Sequence, residues 1–242
     1  MSDLFEAGMC NADGCSVEAG LRRAVAPAVE KAIPVEIVSD VICPWCYVAK
    51  RQFERAATNL SAGVKLSVHW RPFELNPHLP TEGLDRKIYR SCKFGSWENS
   101  QRLDAQVTAA AAQVGLTIRH DLMKRTPNTF NAHRLIWLAE KQGAQDGVVE
   151  GLFQAYFVKG RDVGDKGVLA DVAAAGGIDR TTAEAFLAGS EGSDEVSDAE
   201  MAAKRCGLNG VPTFIIDGRF AFSGAQGADL MLEHMLDALG SS

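Results

Sequence analysis

Residues 35–46 read Val-Glu-Ile-Val-Ser-Asp-Val-Ile-Cys-Pro-Trp-Cys, and this stretch decides the fold. Val35, Ile37 and Val38 are β-branched residues suited to a buried strand, and Ile33-Pro34 punctuates the chain just ahead of them. Cys43-Pro44 then opens a helix, because proline is favoured at the first helical position, where its missing N–H costs nothing. Ala49, Phe53, Ala56 and Leu60 recur at helical spacing and predict a helix over about 44–60. Farther on, Val64, Leu66, Val68 and Trp70 alternate with Lys65, Ser67 and His69, a period of two that a half-buried strand satisfies. The unit 35–70 is therefore strand, helix, strand, and a crossover of this length fits parallel strands better than a hairpin.

The stretch from Pro72 to Pro80 reads as a loop, and between about 85 and 206 the apolar period becomes helical. Val148, Val149, Leu152, Phe153, Tyr156 and Phe157 form one face; Val168, Leu169, Val172 and Ala173 form another ahead of Gly176-Gly177, with Asp179 and Ser193 where helix caps belong. Strand signals return at Thr213–Ile216. Asp217-Gly218 followed by Phe220 and Phe222 has hairpin chemistry, and Met231, Met235 and Leu239 mark a closing helix. Upstream, residues 1–32 mix Gly, Asp, Cys and Ser with a short Ala-rich stretch broken by Pro27, and read as an arm bearing Cys10 and Cys15. The expected class is α/β: a thioredoxin-like fold from 33–80 and 207–242, with 81–206 inserted as a large α-helical subdomain.

Composition narrows the function classes. The chain has 242 residues, is 46% hydrophobic and carries a net charge of −6, so it is globular rather than disordered and lacks the basic surface that nucleic acid or an anionic membrane would need. Its longest uncharged stretch, Ala105 to Ile118, is 14 residues, short of the roughly 20 a membrane span requires. Asp3, Glu6, Asp13 and Glu18 precede the first basic residue, Arg22, a pattern unlike an export signal, so the expected compartment is the cytoplasm. Six cysteines are too few for a disulfide scaffold, and closely spaced pairs then point to redox chemistry or metal.

Cys43 and Cys46, one turn apart at the start of a helix, can form a disulfide. The uncompensated N–H groups and positive dipole of the helix end favour the Cys43 thiolate by roughly 0.3–1 kcal/mol, which designates it the nucleophile. A competing reading recruits Cys10 and Cys15 with this pair as a four-thiolate zinc site, but 27 residues separate Cys15 from Cys43, more than common zinc-ribbon spacings allow. No metal is expected.

Five stretches carry a resemblance. Ser39-Asp40-Val41-Ile42-Cys43-Pro44-Trp45-Cys46-Tyr47, Trp70-Arg71-Pro72-Phe73-Glu74-Leu75-Asn76-Pro77 and Gly210-Val211-Pro212-Thr213-Phe214 resemble the FrnE-like branch of the DsbA family, as do Asn128–Leu135 and Ser223-Gly224-Ala225-Gln226. The resemblance covers about 34–240. It implies thiol-disulfide oxidoreductase activity in which Cys43 attacks, Cys46 resolves the mixed disulfide, Pro44, Trp45 and Asp40 support the pair, and Val211-Pro212 forms a cis peptide facing it. It further implies a main-chain docking edge beside Pro212 that accepts many substrate sequences. Related folds often bury an acid six residues before the first cysteine; here Ile37 holds that place, with Asp40 and Glu36 as substitutes, although both also read simply as solvated or capping carboxylates.

The expected substrates are disulfide-containing proteins or small thiols, with a cellular reductant or oxidant as partner, no tightly bound cofactor, and glutathione as a candidate co-substrate; homodimer formation is left open. With one helix end as its source of thiolate stabilisation, the pair should oxidise less strongly than DsbA at about −120 mV. Alternatives are a glutathione-dependent transferase or isomerase of the kappa or hydroxychromene-carboxylate type, whose members carry serine at the position of Cys43, and a zinc-binding or chaperone-like protein. Cys10 and Cys15 read as an auxiliary redox pair, a partial metal site or two idle thiols. Cys206 follows Val196, Ala199 and Ala203 at helical spacing and is expected to be buried, while Cys92 receives no role. His69 and His133 read as structural, Trp70 and Phe73 as core, and Trp45 and Tyr47 as candidates for an apolar groove beside the thiols.

Overall fold

In the computed structural model, which describes residues 32–61 and 63–240, the β-branched run lies in β1 (Ile33–Ser39), with Val35, Ile37 and Val38 all buried. Apolar residues on both faces suit an interior strand. β1 runs parallel to β2 (Leu66–Pro72), with Ile37 opposite Trp70, and antiparallel to β5 (Thr213–Ile216), with Ile37 opposite Phe214. β5 turns back into β6 (Arg219–Ser223), so the sheet order is β2-β1-β5-β6. Asp217 (φ 49°) and Gly218 (φ 74°) supply the two positive φ angles of that hairpin turn.

The crossover between β1 and β2 is α1 (Pro44–Thr58), which buries Ala49, Phe53 and Ala56 and stacks Phe53 on Phe214 at 5.5 Å. The closing helix α9 (Ala228–Gly240) packs beside α1 and buries Met231 and Met235. β2 runs two residues past the expected strand and ends on Pro72, a residue tolerated because β2 is an edge strand, where its missing N–H leaves no outer neighbour unpaired.

Between β2 and β5 the chain forms α2 (Arg86–Phe94), α3 (Trp97–Gln113), α4 (Phe130–Lys141), α5 (Gln145–Phe153), α6 (Lys166–Ala175), α7 (Arg180–Ala188) and α8 (Ser193–Arg205). The expectation of an all-helical block needs one correction, because two short strands, β3 (Leu84–Asp85) and β4 (Arg125–Thr126), pair antiparallel within it. Two residues are too few for alternation to show in a sequence. Gly83 permits their approach: at φ +67°, a side chain there would place Cβ 2.6 Å from the Thr126 carbonyl oxygen.

The apolar face 148–157 is buried as expected and joins the sheet core directly, with Tyr47 stacked on Phe153 at 4.9 Å and Trp70 edge-on to the same ring at 6.2 Å. Asp179 caps α7, accepting from Thr182 N at 2.8 Å. Ser193 is instead the first residue of α8, whose cap is Gly192 at φ 78°; a side chain at Gly192 would meet the Trp137 ring at 2.9 Å. Cys206 is exposed rather than buried, because α8 ends at Arg205 and the apolar line from Val196 stops short of it.

Candidate active site

Cys43 caps α1 and Pro44 is its first residue. No side chain caps this helix end and no acid lies in its first turn, so the positive end of α1 stands uncompensated beside the Cys43 sulfur. The chain is pinned there by main-chain bonds, Cys43 N to Asp40 O and Cys46 N to Cys43 O, both 3.0 Å. Both cysteines are free thiols, 5% and 1% exposed. Burial, then the hydrogen bond with Cys43, push the Cys46 thiol well above the ordinary range, so Cys46 holds its proton.

The β-hairpin side of the fold closes the site. Val211-Pro212 is cis, and the Cys43 thiol lies 3.8 Å from the Val211 carbonyl oxygen. A cleft of about 410 Å³ opens over Cys43, Pro44 and Trp45, and its far wall comes from the insertion: Tyr89, Arg90 and Lys93 of α2, with Asp104 and Val107 of α3. Arg90 is bonded to Asp104 at 2.7 Å, whereas the Lys93 ammonium at the cleft wall meets the neutral oxygens of Tyr89 (2.8 Å) and Asn76 (2.9 Å). A second groove, about 370 Å³, runs along Gly207–Thr213 beside Phe220 and Gly224.

Behind the dithiol lies a buried polar cluster. Asp40 is 0% exposed, which corrects the solvated-carboxylate expectation: its two oxygens accept from Leu75 N at 2.8 Å and Ile42 N at 3.3 Å, tying the loop after β2 to the dithiol turn. Glu36 does follow that expectation, half-exposed and paired with Arg71 at 2.8 Å. His133, 2% exposed on α4, places Nε2 3.8 Å from Asp40 Oδ1, an ion-pair separation longer than a hydrogen bond. Burial works against its charge, but Asp40, Glu200 and Glu74 outweigh it and His133 is raised. Glu74 is buried too; desolvation first, then Glu200 and Asp40, push it up to about 7.

Of the site residues expected from sequence, the structure brings Cys43, Cys46, Pro44, Trp45, Asp40, Val211 and Pro212 together; Cys10 and Cys15 lie outside the described residues. Trp45 lines the cleft and is 37% exposed, whereas Tyr47 points into the core against Phe153 and donates to Glu150 at 2.9 Å, so it does not line a groove. Trp70 and Phe73 are core, as expected, and Cys92 is exposed. His69 bonds Glu140 at 2.8 Å. Sequence reasoning passed over Glu74, Glu200 and the α2 wall; Glu74 sits inside a motif that drew attention, but an acid there carries no mark of burial. No group of three His, Cys, Asp or Glu side chains among the described residues is arranged to hold a metal ion, and no described helix is long and apolar enough to cross a membrane.

Comparison with known proteins identifies the family and the fold. Residues 34–236 match the family described as DSBA-like thioredoxin domain. The chain is 28% identical over 206 residues to the uncharacterized protein YwbO of Bacillus subtilis (strain 168), covering 85% of this chain and 96% of that one. The crystal structure of a probable DsbA oxidoreductase from Streptomyces coelicolor is similar at 32% identity and a TM-score of 0.80, over 87% of this chain and 91% of the other. The cytosolic disulfide reductase DsbM from Pseudomonas aeruginosa shares the fold at 20% identity and a TM-score of 0.60, over 86% of this chain and all of its own.

Proposed function

The chain belongs to the DSBA-like thioredoxin-domain family, and we propose that within it this protein is a thiol-disulfide oxidoreductase of the FrnE-like branch, working through Cys43 and Cys46. The observation that carries the reading is the placement of a dithiol at an uncompensated helix end, at the mouth of a cleft that Val211 also lines. The Cys43 thiolate attacks one sulfur of a substrate disulfide, and the substrate's other sulfur leaves as a thiolate. Cys46 then gives up its proton and attacks Cys43, so the mixed disulfide breaks, the intramolecular bond forms and the substrate departs fully reduced. Run backwards, the oxidised pair donates its disulfide.

We place the work in the cytoplasm, where the reducing poise keeps a moderately oxidising pair mostly as the dithiol and favours reductase or isomerase turnover. The Lys93 charge on the cleft wall supports a small carboxylate-bearing thiol such as glutathione as co-substrate beside protein disulfides. The test is reduction of insulin disulfides by wild type and by Cys43→Ser, with the redox potential measured alongside. Wild type should turn over and Cys43→Ser should not. Glutathione-dependent transfer that survives Cys43→Ser would favour the kappa or hydroxychromene-carboxylate type instead, and chaperone-like holding that survives loss of both thiols would favour a binding protein.

A further inference from the structure

Two buried polar atoms near the dithiol lack hydrogen-bond partners among the described residues, Glu74 Oε2 and His133 Nε2. Leaving one such atom unpaired costs roughly 1–3 kcal/mol, so two in one cluster ask for a reason. Their surroundings supply one. Glu74 follows β2, and its N–H is held by Glu200 Oε1 on α8 at 2.8 Å. Lys204, one turn along α8, reaches Glu200 Oε2 at 3.5 Å. His133 projects from α4 toward Asp40, and the Asp40 carboxylate and main chain both act on Cys46. Three buried carboxylates, Asp40, Glu74 and Glu200, thus lie with the buried His133, while the exposed Lys204 reaches Glu200 from the rim; fully ionised, these five groups carry one excess negative charge, and one added proton neutralises it.

We propose that Glu74 and His133, acting through Asp40, are positioning residues that form a proton reservoir for the resolving thiol: the proton leaving Cys46 Sγ as it attacks the mixed disulfide is taken up inside this cluster. The inference rests on the dithiol reading above. The step balances within the protein, since the thiol loses one proton, the cluster gains one, and the substrate leaves as a thiolate that solvent protonates. The reservoir also has an outlet. His133 lines a cavity of about 40 Å³ together with Arg71, Glu140 and Glu195, room enough for a water, which needs only about 10–15 Å³. The groups facing the pair are therefore Asp40 from the turn before α1, Glu200 and Lys204 from α8, and Arg71, Glu140 and Glu195 around that cavity.

Dithiobis-nitrobenzoate separates the two steps, because attack by Cys43 and resolution by Cys46 each release one coloured thiolate. The measurement uses the full chain with Cys10→Ser, Cys15→Ser, Cys92→Ser and Cys206→Ser, so that only the dithiol reports. In the parent protein the second release should accelerate as pH rises through about 7, where Glu74 becomes able to accept. Glu74→Gln should leave the first release unchanged, slow the second roughly tenfold, below the 10²–10⁴ of a direct general base, and erase the inflection. An unchanged second phase overturns the proposal, and so does equal slowing of both phases, the mark of a merely structural role. Should Glu74→Gln fail to fold, carboxyl-carbon NMR of the unmutated protein decides: the Glu74 midpoint should move between dithiol and disulfide forms, and an identical midpoint in both overturns the idea. Absence of any release by wild type would instead sink the dithiol reading itself.

Discussion

Glu150→Gln is the most quantitative perturbation the structure offers, because Glu150 keys the insertion to the helix that carries both cysteines. From α5 it accepts from Tyr47 at 2.9 Å and from the Arg51 guanidinium, and its Oε2 lies 3.2 Å from Lys50 Nζ, near enough for an ion pair but out of line for a hydrogen bond. Burial opposes its charge, yet Arg51, Gln154 and Lys50 overcome this and hold its carboxyl at about 2, against an ordinary 4.5. At about 1.4 kcal/mol per pH unit, that preference amounts to about 3 kcal/mol favouring the folded state. A depressed carboxyl contributes its stability above its unfolded value and loses it as pH falls through its folded one. The gap between wild type and variant should therefore be about 3 kcal/mol at pH 7, about 2 at pH 3.5, and gone near pH 2. Lys50, its side chain 3% exposed, keeps Glu54 and Asp146, so the variant should still fold. Urea unfolding of reduced protein at pH 7 and pH 3.5 measures the gap. A difference under about 1 kcal/mol at pH 7, or one equal at both pH values, would refute the reasoning.

Further outcomes follow from the same structure. Cys46→Ser should accumulate a mixed disulfide between Cys43 and substrate, visible as an added mass that reductant removes; recovery of unmodified protein only would contradict the assigned order of attack. Asp40→Asn should slow exchange at a stability loss of about 1–2 kcal/mol, since one of its two main-chain contacts can persist, and unchanged kinetics would end its role in proton transfer. Phe153→Ala, at a fully buried ring stacked on Tyr47, should cost about 3–5 kcal/mol in chemical denaturation. Gly160→Ala should be destabilised by more than about 1 kcal/mol, because Gly160 sits at φ +64° with the Leu122 main chain 2.7 Å from the added carbon; a neutral result would mean that this turn relaxes freely.

Much of the fold was legible because its signals are local and repetitive. The β-branched run before Cys43, the proline at the helix start, the alternation from Val64 to Trp70 and the Asp217-Gly218 turn each act over a few residues, and each element stands where these signals put it, within two residues at its ends. Where reading failed, the deciding contact came from elsewhere in the chain. Gly192 rather than Ser193 caps α8 because the Trp137 ring leaves no space for a side chain there, and the β3–β4 pair exists because Gly83 lets Thr126 approach. Tyr47 turned inward because Phe153, over a hundred residues away, completes its stack.

The sequence by itself determined that a dithiol opens a helix behind a buried strand, and so which two sulfur atoms can exchange bonds. Only the tertiary structure decided what surrounds them. Asp40, Glu74, His133 and Glu200 come from separate segments, and nothing in a one-dimensional reading joins them into one buried cluster, because whether a charged side chain is desolvated depends on what distant segments pack over it. Spacing sets which groups can react, and burial sets where their protons can go.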